Sequence, residues 1–241
     1  MAIANTPTSF LTLIGFGETG WGAQFLEGAI VTIEISVCSY AFGMLLGLAG
    51  AQCKLSQSRA ARYAAEFYTT TVRAVPSLLL IILLFYTGTS FFNDAMGLIG
   101  LRGRVELSGF AAAVITLGFI KGAYMTEVFR GAIMTVRRGL VEAATALGLN
   151  GYLRFRFVVF PLMLRTALPG LANLWQSALK DSALVSVVGL SELLTVGKNA
   201  ASETKLYGTF LCFTGLLYLL MTLVSNLGFS SLERRVNRGF H

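Results

Sequence analysis

From Leu206 to Leu232 the chain runs through 27 residues without a charge. As a helix this run is about 40 Å long, more than the roughly 30 Å hydrocarbon core of a bilayer. Lipid offers no hydrogen-bonding partner, so a segment that crosses it must satisfy its backbone internally, and a helix does so. The chain is therefore expected to be an all-α, polytopic membrane protein. Composition agrees: 55% of the 241 residues are hydrophobic, only 13% are charged, and the mean hydropathy is +0.69. An ordinary soluble domain carries nearly twice that charge.

Four more spans are read upstream, giving five at about 25–51, 63–92, 107–129, 166–190 and 206–232 within one transmembrane domain, 1–241, and a loop at about 133–163. In the first, Gly43, Gly47 and Gly50 are small residues that let helices approach closely in lipid. Glu27 and Glu34 lie seven apart on one face. Glu34 is expected to be a buried structural partner, since an acid facing lipid costs about 2.5–3.5 kcal/mol. The second span has 19 uncharged residues from Ala74 to Phe92, with Pro76 loosening its start. In the third, Lys121, Glu127 and Arg130 mark either a polar interior face or the helix emerging at the interface. In the fourth, Pro169, Gly170, Lys180 and Asp181 interrupt the apolar pattern, so neighbours must shelter the charged pair.

The charges fix an orientation. With the N-terminus outside, Lys54 to Arg62, Arg130 to Arg165 and the C-terminal tail are internal and hold 12 of the 19 basic residues; Arg102, Arg104, Lys198 and Lys205 are the four external ones. Positive loops stay in the cytoplasm, so the N-terminus is expected to be periplasmic and the C-terminus cytoplasmic. This clustering explains the net charge of +7 without nucleic acid. Residues 1–22 lack the basic start and cleavage site of a secretory signal and are read as a non-spanning lead-in. Gly15, Gly17 and Gly20 match G-x-G-x-x-G without a βαβ context, so a turn is expected there. Cys38, Cys53 and Cys212 have no metal or framework spacing and are read as packing residues. The one histidine is His241. No catalytic residue, metal ligand or cofactor site is expected in this chain, and no G-x-x-x-x-G-K-[ST] occurs in it, so any ATPase is a separate chain.

The loop between the third and fourth spans is too polar to cross. Glu142, Ala143, Ala144, Ala146 and Leu147 are helix formers, Gly148 suits the left-handed residue that closes a helix, and Asn150-Gly151 is a turn pair. An amphipathic segment follows until Pro161 interrupts it. On physics alone this is either a knob that docks in a partner's cleft or a solvated helix on the membrane surface.

Glu142-Ala143-Ala144, Gly148, Val158, Phe160 and Pro161 resemble the EAA loop of ATP-binding-cassette importer permeases, E-A-A, three residues, G, nine residues, I-x-L-P, with Val158 and Phe160 in place of Ile and Leu. Gly28 to Ser36, Lys54 to Gln57, Leu117 to Ala132 and Ala167 to Leu190 look like the polar amino acid permeases, most of all the Q-type subunits for histidine, lysine, arginine and ornithine or for octopine and nopaline. The resemblance implies a five-span inner-membrane subunit, a second M-type permease, two cytoplasmic ATPase subunits that bind ATP and magnesium, a periplasmic amino acid binding protein, and alternating access. It implies that force enters at Glu142, Ala143, Ala144, Gly148 and Pro161. For the solute path the candidate is Asp181, with Gln176, Ser177, Ser182 and Ser186 nearby; the alternative is that Lys180 and Asp181 are structural polar glue. A secondary transporter or channel not driven by ATP is the competing class.

Overall fold

The structure is a computed structural model that describes residues 10–17, 20–98 and 108–237. It comprises α1 (Phe10–Ile14), α2 (Gly22–Leu55), α3 (Arg59–Ala74), α4 (Ser77–Leu98), α5 (Gly109–Met134), α6 (Arg138–Ala146), α7 (Gly151–Arg154), α8 (Phe160–Asp181), α9 (Leu193–Thr204) and α10 (Tyr207–Asn237), with no strand among the described residues. Four helical stretches are long and apolar enough to cross a bilayer: Gly22–Leu55, Gly109–Met134, Gly151–Val188 and Tyr207–Val236. The region expected to form the second span is instead two helices, α3 and α4, bent by 114°. Pro76 causes the break. It has no N–H, and it pushes Val75 out of the helical region to φ −94°, ψ 136°. The α3 half is amphipathic, burying Ala65, Thr69 and Val72 while Arg62, Glu66 and Arg73 stay exposed. α4 continues to Leu98, past the loop start expected at Asn93; Arg102, Arg104, Arg238 and His241 lie outside the described residues.

α2 and α5 form the centre of the fold, running parallel and packed through glycines. A Cβ added at Gly43 would lie 3.0 Å from the Gly118 carbonyl oxygen, and one at Gly47 would lie 2.5 Å from Met125 Cβ. The expected close approach of Gly43, Gly47 and Gly50 is thus made on α5. α8 crosses the other side of α5, where Gly170 leaves room for Val128. Pro169 and Gly170 do not break this helix, which runs unbroken from Phe160 to Asp181; the break falls at Ser182–Val188, a tighter 3₁₀ segment closed by Gly189 at φ +85°. Tyr40 Oη donates to the Leu171 carbonyl at 2.9 Å, tying α2 to α8.

The buried acid is not the one expected. The Glu34 side chain is exposed and makes no hydrogen bond or ion pair with any described residue, because its neighbours Thr32, Ile35 and Ser36 take the inward face of α2. The buried acid is Glu192, at 0% exposure. Its carboxylate accepts from Tyr218 Oη at 2.6 Å, from Leu194 N at 2.8 Å and from Thr195 N at 2.9 Å, capping α9 and joining it to α10. Burial pushes the Glu192 carboxyl up from the ordinary glutamate range against these hydrogen bonds. Cys38, Cys53 and Cys212, read as packing residues, are free thiols on exposed helix faces of this chain. Lys54 is not in a solvated basic loop either: it occupies the last turn of α2, its side chain 5% exposed, paired with Glu66 at 2.8 Å and with Glu127. Arg130 completes this network, 2.8 Å from Glu127.

Candidate functional site

α6 contains Glu142, Ala143 and Ala144 and ends by a Schellman motif. Leu149 N donates to Ala144 O at 3.1 Å and Gly148 N to Thr145 O at 3.0 Å, with Gly148 at φ +76°. This is the left-handed closure the sequence expects of Gly148. Asn150 then caps α7, its Oδ1 accepting from Leu153 N at 2.9 Å. Arg154 Nη1 reaches back to Thr145 Oγ1 at 2.8 Å and braces α6 against α7. Ala144 is buried; Glu142, Ala143, Ala146 and Leu147 are exposed, Leu147 at 82%. The result is a rigid knob with an apolar tip and one acid, at the end of the molecule that also carries Lys54, Arg130 and Arg234. Glu142 makes no ion pair with a described residue.

Pro161 does not interrupt the segment after the knob. Phe155–Val159 is a π turn in which Phe160 N bonds to Phe155 O, and Pro161 sits in the first turn of α8. The wider turn leaves no donor demand at that position, so the missing N–H of proline is tolerated. Helix therefore continues from Gly151, inside the predicted loop, to Asp181.

The second candidate group lies at the far end of α8. Asp181 Oδ2 is 2.5 Å from Lys121 Nζ, which also donates to Ser177 Oγ at 2.7 Å. Lys121, 2% exposed, is the partner that sequence reasoning missed. Its distance of 60 residues from Asp181 hid the pair, although an unpaired cation in an apolar span was signal enough that a partner existed. Only Ser177 joins Asp181. Gln176 turns to α10 and donates to Asn226 Oδ1 at 2.6 Å, Ser182 is fully buried, and Ser186 accepts from Lys198 at 2.9 Å. Lys180 is not sheltered with Asp181 as a pair; it is exposed.

Lys180 belongs to a pattern. Beyond Phe160 in its first turn, the exposed residues of α8 are Thr166, Pro169, Asn173 and Lys180, at helical spacings that put these four on one face. The exposed face of α10 is apolar, with Leu219, Leu223 and Val224, whereas on α2 the exposed Ile30, Ile33 and Val37 share their face with Glu34. The face of α10 suits lipid. The face of α8 suits water or protein.

Residues 39–238 match the family described as binding-protein-dependent transport system inner membrane component. The nopaline transport system permease protein NocQ of Agrobacterium fabrum is 42% identical, over 95% of this chain and 98% of that protein. The histidine/lysine/arginine/ornithine transport system permease protein HisQ of Salmonella typhimurium is 43% identical, over 91% and 96%. Among solved structures, an amino acid ABC transporter crystallised with histidines has a TM-score of 0.74 at 28% identity, covering 89% of this chain and 95% of that one. The inward-facing MetNI methionine ABC transporter, at 17% identity and a TM-score of 0.72, has the same fold. With four spanning stretches, a bent helix pair and a protruding α6 in one such chain, this protein belongs to the binding-protein-dependent transport system inner membrane component family.

Proposed function

We propose that this chain is the transmembrane permease subunit of an ATP-driven importer for polar amino acids of the basic or opine type. The knob of α6 carries the reading: a capped, rigid element with an exposed apolar tip, projecting from the basic end of a spanning bundle, is built to be gripped. By the positive-inside rule that end is cytoplasmic, which puts the N-terminus outside and α6 within reach of an ATPase. Glu142 offers a charge to the ATPase surface, Ala143 permits close contact, Ala144 seats the knob on its own subunit, and Gly148 holds the turn. Two ATPase subunits supply ATP and magnesium chemistry; a second M-type permease completes the path, and a periplasmic binding protein delivers the solute. The α3–α4 pair counts as one bent span, giving five.

The polar face of α8, from Thr166 to Lys180, is the wall of the solute path, with Ser177 and Asp181 at its flank. Lys121 neutralises Asp181, so this subunit presents the ammonium of Lys180 rather than a free carboxylate. The test is co-expression with the neighbouring transport genes: the chain should co-purify with an ATPase, and reconstituted vesicles should hydrolyse ATP when binding protein and solute are added. Ala144→Trp should abolish the stimulation by unseating the knob. Solute uptake by the chain with no ATPase attached would refute the reading.

A further inference from the structure

Arg73 is a cation without an anion. It ends the polar face of α3, following Arg62, Glu66 and Thr70 at helical spacings, and its guanidinium carbon lies 5.5 Å from the centre of the Tyr124 ring. Tyr124 is well inside α5, a helix long enough to span, and about 22 Å from its first residue, Gly109. An arginine held there has to face water or an acid, because lipid solvates neither its charge nor its N–H groups. The acids nearby are spent. Glu127, one turn along α5, pairs with Lys54 through Oε1 and with Arg130 through Oε2; Glu66 pairs with Lys54 through Oε2 and accepts from Thr70 at Oε1. Arg73 itself makes no hydrogen bond or ion pair with any described residue. The ring contact orients its guanidinium without engaging the N–H donors with an oxygen.

The strip of α5 beneath Arg73 is shared with α8. Tyr124 and Val128 stand at i and i+4, and Val128 is where Gly170 of α8 packs, next to Pro169 of the exposed polar face. α2 packs on a different strip, through Gly118, Gly122 and Met125. Arg73 and the polar face of α8 therefore border one side of α5.

We infer that Arg73 is the group that holds the carboxylate of the transported solute in this subunit, a role that rests on the reading of the chain as an importer's permease. A guanidinium with unused donors matches the two oxygens of a carboxylate, the group that every amino acid and opine carries. The same charge repels the cationic end of a basic solute, so Arg73 also sets the solute's direction: carboxylate toward α3, side chain away from it.

The experiment is isothermal titration of the purified complex, both permease chains with their ATPase in lipid nanodiscs and no binding protein present, with L-arginine and with agmatine, which lacks only the carboxylate. The wild type should bind L-arginine tighter by about 10- to 100-fold. Arg73→Gln should erase that preference by weakening L-arginine alone, with the second permease chain and the ATPase still bound. Equal binding of the two compounds by the wild type, binding of neither, or an intact preference in Arg73→Gln overturns the inference. So does an Arg73→Gln complex that loses its second permease chain, since the guanidinium then serves an acid of that partner. ATPase co-purification with the wild type tests the importer reading separately: a complex that assembles and hydrolyses ATP but shows no such preference refutes the role of Arg73 and leaves that reading standing.

Discussion

Asp181→Asn tests the polar centre of the bundle most directly. Lys121 Nζ lies 2.5 Å from Asp181 Oδ2 and 2.7 Å from Ser177 Oγ, and the lysine side chain is 3% exposed. Two magnitudes compete when the carboxylate becomes an amide. Weakening one hydrogen bond inside a membrane protein costs about 0.6–2 kcal/mol. Leaving a buried ammonium without its counter-charge costs about 3–5 kcal/mol. Ser177 presents only a neutral dipole and cannot replace the carboxylate, so the second effect dominates. The expected loss is thus about 3–5 kcal/mol, a shift of two to nearly four powers of ten in the unfolding constant. Reversible unfolding in mixed micelles at increasing dodecyl sulfate, followed by tryptophan fluorescence, measures it. Replacing both charges, Lys121→Met with Asp181→Leu, should recover most of the loss, because no orphan charge remains. An Asp181→Asn protein within about 1 kcal/mol of the wild type, or a double variant no better than the single one, would show that the pair is solvated in the folded chain and the reasoning wrong.

Three further outcomes are expected. Gly148→Val places a β-branched residue at φ +76°, at a cost of about 1–2 kcal/mol; the loss should appear as weakened ATPase co-purification with unchanged unfolding of the spans. Gly47→Leu drives a side chain into Met125 of α5, and overpacking of about 1–3 kcal/mol should lower the thermal midpoint in detergent. Glu192 is buried with its carboxyl raised above the ordinary value of 4.5, burial being the largest cause. A raised folded value means the unfolded chain gives up its proton first, so stability is greatest below 4.5 and falls as pH rises through the higher folded value. Glu192→Gln should flatten that slope in a pH series of unfolding curves.

The parts of this fold that were legible in the sequence are those with a local cause. The uncharged run at Leu206–Leu232 dictated a spanning helix, the glycines of α2 dictated close packing, and Gly148 before Leu149 dictated the end of α6. Each needs only a few neighbouring residues to act. What misled were features whose meaning is set by distant partners. Asp181 looked free because Lys121 is on another helix, and Glu34 looked in need of a partner while the demand for burial was met by Glu192. Prolines show the same limit. Pro76 breaks its helix because nothing downstream reshapes the turn, whereas Pro161 is accommodated because a π turn precedes it, and Pro169 persists inside α8 because packing on α5 holds the helix together.

Helix from Gly151 through the π turn to Asp181 makes one element about 45 Å long. At one end Arg154 bonds it to the knob, through Thr145. At the other, Asp181 pins it to Lys121 of α5, and α5 is locked to α2 by the glycine contacts. The two ends are held unequally: the knob is exposed and free to follow a partner, while the far end is anchored in the most tightly packed part of the bundle. Under the proposed coupling, a displacement of α6 therefore swings this rod about the Lys121–Asp181 contact instead of translating it, and sweeps its polar face from Thr166 to Lys180 past the path. A pivot and a mere stabilising contact differ in one consequence. The double variant Lys121→Met, Asp181→Leu, stable because no buried charge is orphaned, should still dock its ATPase and hydrolyse ATP but import poorly, since the rod has lost its fixed point. Import at the wild-type rate per ATP in that variant would reduce the pair to packing and place the pivot elsewhere.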